Sequence, residues 1–180
     1  VFGRVIGLVV LGPWIVFLVR RKLKGMLAVK TLMLMVLGGL QGLLGWYMVK
    51  SGLVDRPEVS HFRLAAHLLL AFTVAQYTAW LALGLQAAPA RVQRASRATR
   101  AAALALTPLL VLQIIYGAFV AGTRAGLYSA TFPDINGMYL PGAFVGAEGA
   151  LQSLLHGVPL IHWTHRFLGW LVFFGLLGLG

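Results

Sequence analysis

Five apolar stretches, each close to the length needed to cross a bilayer, constrain this chain more than any other feature. They run at about 2–19, 28–49, 62–85, 101–122 and 159–180. A hydrocarbon core about 30 Å thick asks for roughly 20 helical residues. Pro13, Gly38, Gly39, Gly42, Gly45 and Pro108 fall inside these stretches. Membrane helices tolerate both residue types, and small residues let neighbouring helices approach closely. Charged residues make up only 11% of the chain and hydrophobic ones 59%, whereas a soluble domain carries about 25% charge. The expected fold is therefore an all-α, polytopic membrane helical bundle with five transmembrane segments.

The distribution of charge orients the bundle. The 20–30 connection holds Arg20, Arg21, Lys22, Lys24 and Lys30, and the 86–100 connection holds Arg91, Arg94, Arg97 and Arg100. In the 50–61 connection, Asp55 and Glu58 partly compensate Lys50, and the long 123–158 loop has one basic residue, Arg124. Positive loops stay inside, so segments 1, 3 and 5 run inward and segments 2 and 4 run outward. The net charge of +11 is thereby explained as topology signalling, without a nucleic-acid partner. The expected location is the bacterial inner membrane, or the mitochondrial inner membrane with the basic side in the matrix. The 36-residue outer loop is too long for a plain connector. It either covers a site or is a mobile loop with no part in chemistry.

The chain reads as an internal stretch of a longer protein, since it opens and closes inside apolar runs. Two echoes run through it. Leu40-Gln41, Gly45 and Lys50-Ser51-Gly52 on one outward segment are matched by Leu112-Gln113, Gly117 and Arg124-Ala125-Gly126 on the other. His165-Arg166-Phe167-Leu168-Gly169 is matched by Val1-Phe2-Gly3 if Gly169 is set on Gly3. That alignment predicts a His-Arg pair just before Val1, and a pseudo-repeat of the kind common in membrane proteins.

His67 lies about two turns inside the third segment, and an ionisable side chain at such depth is a functional-site candidate. Ala65, Ala66 and Ala71 around it leave room for a flat group, and Arg63 stands one turn towards the outer water. A neutral imidazole ligates iron through one nitrogen while a partner orients the other. An arginine at that height is placed to meet a propionate carboxylate. His165, followed by Arg166, sits at similar depth on a segment of the same direction. Two such histidines suit a plate-like cofactor near the outer leaflet, although helix packing explains each of them alone. His61 and His156 read as wet interfacial residues. His162, three residues before His165, reads as an interfacial residue or as a neighbour of the site. Cysteine is absent, and Asp55, Glu58, Asp134 and Glu148, the only carboxylates, all fall in outer loops. No thiol chemistry or buried acid–base pair can be assembled, so a cofactor must carry any redox chemistry.

The stretch LGGLQGLLGWYMVKSGL, followed by VSHFRLAAHL, closely resembles the haem A synthase family, in particular its proteobacterial and mitochondrial, cysteine-free branch. AGTRAGLYSATFPDINGMYLP and HWTHRFLG also resemble it, so the resemblance runs over essentially the whole chain. It implies eight helices in two similar four-helix halves, of which this chain holds helices two to six. Residues 1–100 would be most of the N-terminal half without its first helix, and 101–180 the start of the C-terminal half. It implies oxidation of a methyl group of haem O to the formyl group of haem A, for terminal oxidase assembly. His67 and His165 would be axial ligands to haem iron, with Arg63 and Arg166 as further cofactor-binding residues. Haem b and haem O or haem A would be the cofactor and substrate. Haem O synthase, an electron donor and a second copy of the chain are the implied partners. No catalytic acid is assigned within the stretch. An electron-transferring membrane cytochrome b shares these helices and histidines and differs in making no haem A; a transporter or assembly protein with packing histidines predicts no haem at all.

Overall fold

The computed structural model describes residues 2–52, 60–86 and 95–179. Asp55, Glu58, Arg91 and Arg94 lie outside the described residues. Six α-helices follow in order: α1 (Phe2–Val19), α2 (Gly25–Gly52), α3 (His61–Gln86), α4 (Arg97–Gly122), α5 (Ala150–His156) and α6 (Val158–Leu177). No strand occurs among the described residues. Of the five expected apolar segments, α2, α3, α4 and α6 are long and apolar enough to cross a membrane, and Val5–Val19 of α1 is a shorter apolar helix. At 1.5 Å per residue α2 is about 42 Å long, so it reaches past the hydrocarbon at its ends.

These sequences become helices because lipid leaves no other partner for the backbone. Their hydroxyls are absorbed in the same way. Thr31, Thr73, Thr78 and Thr107 each donate to the carbonyl four residues earlier. Large apolar side chains face outward throughout, for example Leu8, Leu83 and Leu104. In water this would be a liability, whereas against acyl chains it is the expected surface.

Packing is sequential: α2 lies along α3, α3 along α4 and α4 along α6. Two antiparallel hairpins result, α2–α3 and α4–α6. At the basic end of the first, Lys30 stands 4.6 Å over the Trp80 ring, and the Tyr77 hydroxyl donates to the Lys30 carbonyl at 3.2 Å. The expected boundary at 100/101 falls in the first turns of α4.

The tightest core lies at the outer end. Ala65 of α3, Ala118 and Phe119 of α4, Ala125 just beyond α4, and Ile161 of α6 are buried together. Small residues there bring the helices close. A Cβ on Gly122 would lie 2.7 Å from the Cβ and 2.8 Å from the Cα of His61, so α3 and α4 can meet as they do only at glycine.

The outer loop is folded onto α6. Ile135, Phe144 and Leu160 are buried together, with Met138, Leu154 and Trp163 against them. Trp163 Nε1 donates to the Tyr139 carbonyl at 2.9 Å. Arg166 Nη1 donates to the carbonyls of Thr131 and Asp134, both at 2.7 Å. Ser153, fully buried, accepts from Gly146 N and donates towards Glu148 and Gly149. The loop packs against α6 through these contacts. Helix α5 within it, ALQSLLH, is made mostly of helix-favouring Ala, Leu and Gln, and the reading of 123–158 as a loop does not include it.

Candidate histidine sites between paired helices

His67 is the seventh residue of α3 and His165 the eighth of α6. At 1.5 Å per residue both lie about 10 Å from the outer ends of their helices. Each imidazole rests against the outward-running helix of its own hairpin, and in each case it meets a glycine. A Cβ on Gly45 would be 3.1 Å from His67 Cε1, and a Cβ on Gly117 would be 3.2 Å from His165 Cε1. Any other residue at these two positions would press on the ring. The glycines therefore form a matched pair of flat seats.

One turn before each seat stands a glutamine, Gln41 or Gln113, on the same helix face. Gln41 Nε2 donates to the carbonyl oxygen of His67 at 3.2 Å and lies 3.2 Å from His67 Nε2. In the second hairpin the Gln113 backbone carbonyl faces the His165 ring, but Nδ1 makes no hydrogen bond of good geometry. Both histidine Nδ1 atoms and both glutamine Oε1 atoms are buried without a hydrogen-bond partner. Buried polar atoms in this state are rare and call for an explanation.

The two arginines are placed near their histidines and already have contacts. Arg63 lies 4.6 Å over the Tyr47 ring, joining α3 to α2. Arg166 holds the outer loop through Nη1, which leaves Nη2 and Nε for another acceptor.

Of the remaining histidines, His61 and His162 differ from the interfacial reading. His61 is half-buried, and its Nε2 bonds the Leu155 carbonyl at 2.9 Å, tying the start of α3 to α5. Its ring also packs edge-on against Phe119 and His156. It is a structural tie rather than a wet interfacial residue, because the outer loop folds over it. His162 is only 6% exposed, and its Nδ1 is buried without a partner. It is therefore no interfacial residue either; the same loop covers the start of α6. His156 is exposed, as expected.

Among the described residues no group of three His, Asp or Glu side chains can hold a metal ion. An iron porphyrin asks for less, since its ring supplies four ligands and the protein one or two. Two isolated histidines, each on a flat glycine seat, fit such a group.

The Gln–Gly spacing was visible as an echo in the sequence, but its meaning was not. Only the pairing of α2 with α3 and of α4 with α6 shows that the repeated glycines face the two histidines.

The profile of the cytochrome oxidase assembly protein family, COX15-CtaA, matches residues 1–180. Among curated proteins, the haem A synthase of Flavobacterium johnsoniae is 39% identical over 172 residues, 94% of this chain and 50% of that protein. The haem A synthase of Nitrosomonas eutropha is 36% identical over 181 residues, 97% of this chain and 50% of that protein. That of Parvibaculum lavamentivorans is 39% identical over 170 residues, 94% and 49% respectively. The chain spans about half the length of these curated relatives. No solved structure matches it. A profile match along the whole chain, with helices of membrane-spanning length in the expected places, places this chain in the cytochrome oxidase assembly protein family COX15-CtaA.

Proposed function

We propose that this chain is part of a haem A synthase, a membrane oxidoreductase that converts the methyl group of haem O to the formyl group of haem A. The observation that carries the reading is the placement of His67 and His165. Each stands about 10 Å along its helix, seated on a glycine of the paired helix and with its Nδ1 buried without a hydrogen-bond partner. Similarity to relatives named haem A synthase supports the reading.

In this reading His67 and His165 would hold haem iron, one in each of two pseudo-repeated four-helix halves with the boundary near 100/101. When bound, the iron porphyrin supplies the oxidising chemistry that side chains cannot. The chain's own residues do the rest. Gly45 and Gly117 fix the imidazole planes. Arg63 and Arg166, on the outer-facing side, offer charge to the propionates of the haem. The folded outer loop, held by Arg166 and Trp163, limits access of water from the outer face. Haem b is the proposed resident cofactor and haem O the substrate. The bacterial inner membrane, or its mitochondrial counterpart, is the proposed location. Haem O synthase, an electron donor and a second copy of the chain are the proposed partners.

The test is the product. The protein is expressed in membranes with haem O supplied under aerated, reducing conditions, and the pigments are extracted for mass analysis. Haem A from the parent, absent from His67→Ala and His165→Ala, supports the reading. Bound haem without haem A in the parent replaces the synthase with an electron-transfer cytochrome.

A further inference from the structure

The two hairpins repeat the same parts but do not arrange them alike. Setting Gly45 on Gly117 sets Gln41 on Gln113, and setting His67 on His165 sets Ala71 on Gly169. The two glutamines differ in where their amides go. Gln41 Nε2 lies 3.2 Å from His67 Nε2. Gln113 Nε2 lies 3.2 Å from where a Cβ of Gly169 would be, and no hydrogen bond joins its amide to His165 among the described residues.

The chemistry of the Gln41 contact is fixed by its second bond. The Gln41 amide nitrogen also lies 3.2 Å from the His67 carbonyl oxygen, which only accepts. The amide nitrogen is therefore the atom facing His67, and an amide N–H2 group only donates. His67 Nε2 must then accept, and the ring proton sits on Nδ1. Gln41 thus occupies the lone pair on Nε2.

Position 71/169 explains the difference. In the second hairpin the Gln113 amide fills the space that a side chain at 169 would take, which is open because residue 169 is glycine. Ala71 has a Cβ in the corresponding place, one turn inward of His67. In this hairpin the Gln41 amide lies against the imidazole instead.

We propose that the Ala71/Gly169 difference makes the two histidine sites unequal: Gln41, crowded by Ala71, caps His67 Nε2, whereas Gln113, accommodated by Gly169, leaves His165 uncapped. Gln41, Ala71, Gln113 and Gly169 are positioning residues that act through the histidines. Gln41 must release Nε2 before that nitrogen can ligate iron, so the His67 site binds haem against a competing hydrogen bond and the His165 site does not. This inference rests on the haem-binding reading above.

Haem b binding to the detergent-purified protein, followed at the Soret band, tests it. His165→Ala isolates the His67 site, and His67→Ala isolates the His165 site. A net hydrogen bond corresponds to about a two- to tenfold change in affinity. In the His165→Ala background, Gln41→Leu and Ala71→Gly each tighten haem by that factor. In the His67→Ala background, Gln113→Leu changes affinity less than twofold. Gly169→Ala weakens it by a similar factor, and Gly169→Ala/Gln113→Leu restores it. A merely structural Gln41 predicts the opposite sign, with weaker haem and a lower Tm on Gln41→Leu. Weaker or unchanged binding in Gln41→Leu, or equal tightening by Gln41→Leu and Gln113→Leu, overturns the proposal while leaving haem binding intact. No Soret band from the parent overturns the haem reading and this inference together.

Discussion

Replacing Gly45 or Gly117 by alanine separates the histidine seats from the fold. The new methyl would lie 3.1 Å from His67 Cε1 or 3.2 Å from His165 Cε1. Carbon atoms settle at about 3.5 Å or beyond, so each ring must move by about 0.3–0.4 Å. The obstacle is a side chain rather than backbone, and a tilted imidazole off its rotamer costs about 0.5–1.5 kcal/mol. Alanine also gains about 0.5–1 kcal/mol of helix preference over glycine, so the bundle itself should be near neutral. The loss falls on whatever depends on the angle of the ring. We expect Gly45→Ala and Gly117→Ala each to keep the parent's Tm within a few degrees and to lower haem affinity about three- to tenfold, the factor for 0.7–1.4 kcal/mol. Haem titration of the detergent-purified protein, beside thermal unfolding monitored by circular dichroism, reads both quantities. Unchanged haem affinity in both variants would refute the seat geometry. A collapsed Tm with no folded protein would show that these glycines serve helix packing instead.

Three further outcomes follow from the same contacts. Gly122→Ala places its methyl 2.8 Å from the His61 backbone, where α3 itself must shift, so a cost of about 1–3 kcal/mol should appear as a lowered Tm, unlike Gly45→Ala. Arg166→Gln removes the charged donor to the Thr131 and Asp134 carbonyls; hydrogen exchange across 131–138 should quicken about tenfold, and unchanged exchange would mean that the loop is held by Trp163 and Ile135 alone. The Gly137 N–H donating to Asp134 at 2.6 Å holds that carboxyl below its usual range. A depressed folded pKa stabilises above the unfolded value of about 3.9 and is lost as pH falls through the folded one. Protection of the 134–138 turn should therefore be flat above about pH 5 and fade below about pH 4, and Asp134→Asn should remove that dependence.

The membrane-spanning helices were legible because lipid leaves so few choices: apolar length alone located α2, α3, α4 and α6. The depth of His67 and His165 followed from counting residues. What could not be read were relations between helices. Gln41 and Gly45 recur as Gln113 and Gly117 in the linear sequence, yet nothing linear says that each pair faces a histidine on the next helix. The outer loop was opaque for another reason. Its order comes from single long-range bonds, such as Trp163 to Tyr139 and His61 to Leu155, which leave no periodicity. For the same reason the sequence does not show that His61 and His162 are covered, although His61 bonds the Leu155 carbonyl and His162 is buried. Arg166 illustrates the limit well: its nearness to His165 was plain, but its hold on Thr131 and Asp134 needed the folded loop.

The central claim is that His67 and His165 ligate haem iron, and the most direct test is haem stoichiometry together with the low-spin spectrum of the ferric protein. Parent protein, His67→Ala, His165→Ala and the double variant are purified in detergent with haem supplied. Haem per chain is measured by pyridine haemochrome, and the ligand field by electron paramagnetic resonance. The account predicts a histidine-ligated low-spin signal in the parent, partial loss with each single variant, and loss of both sites in the double. A double variant that keeps the parent's haem content and signal would contradict it, and would return both histidines to helix packing.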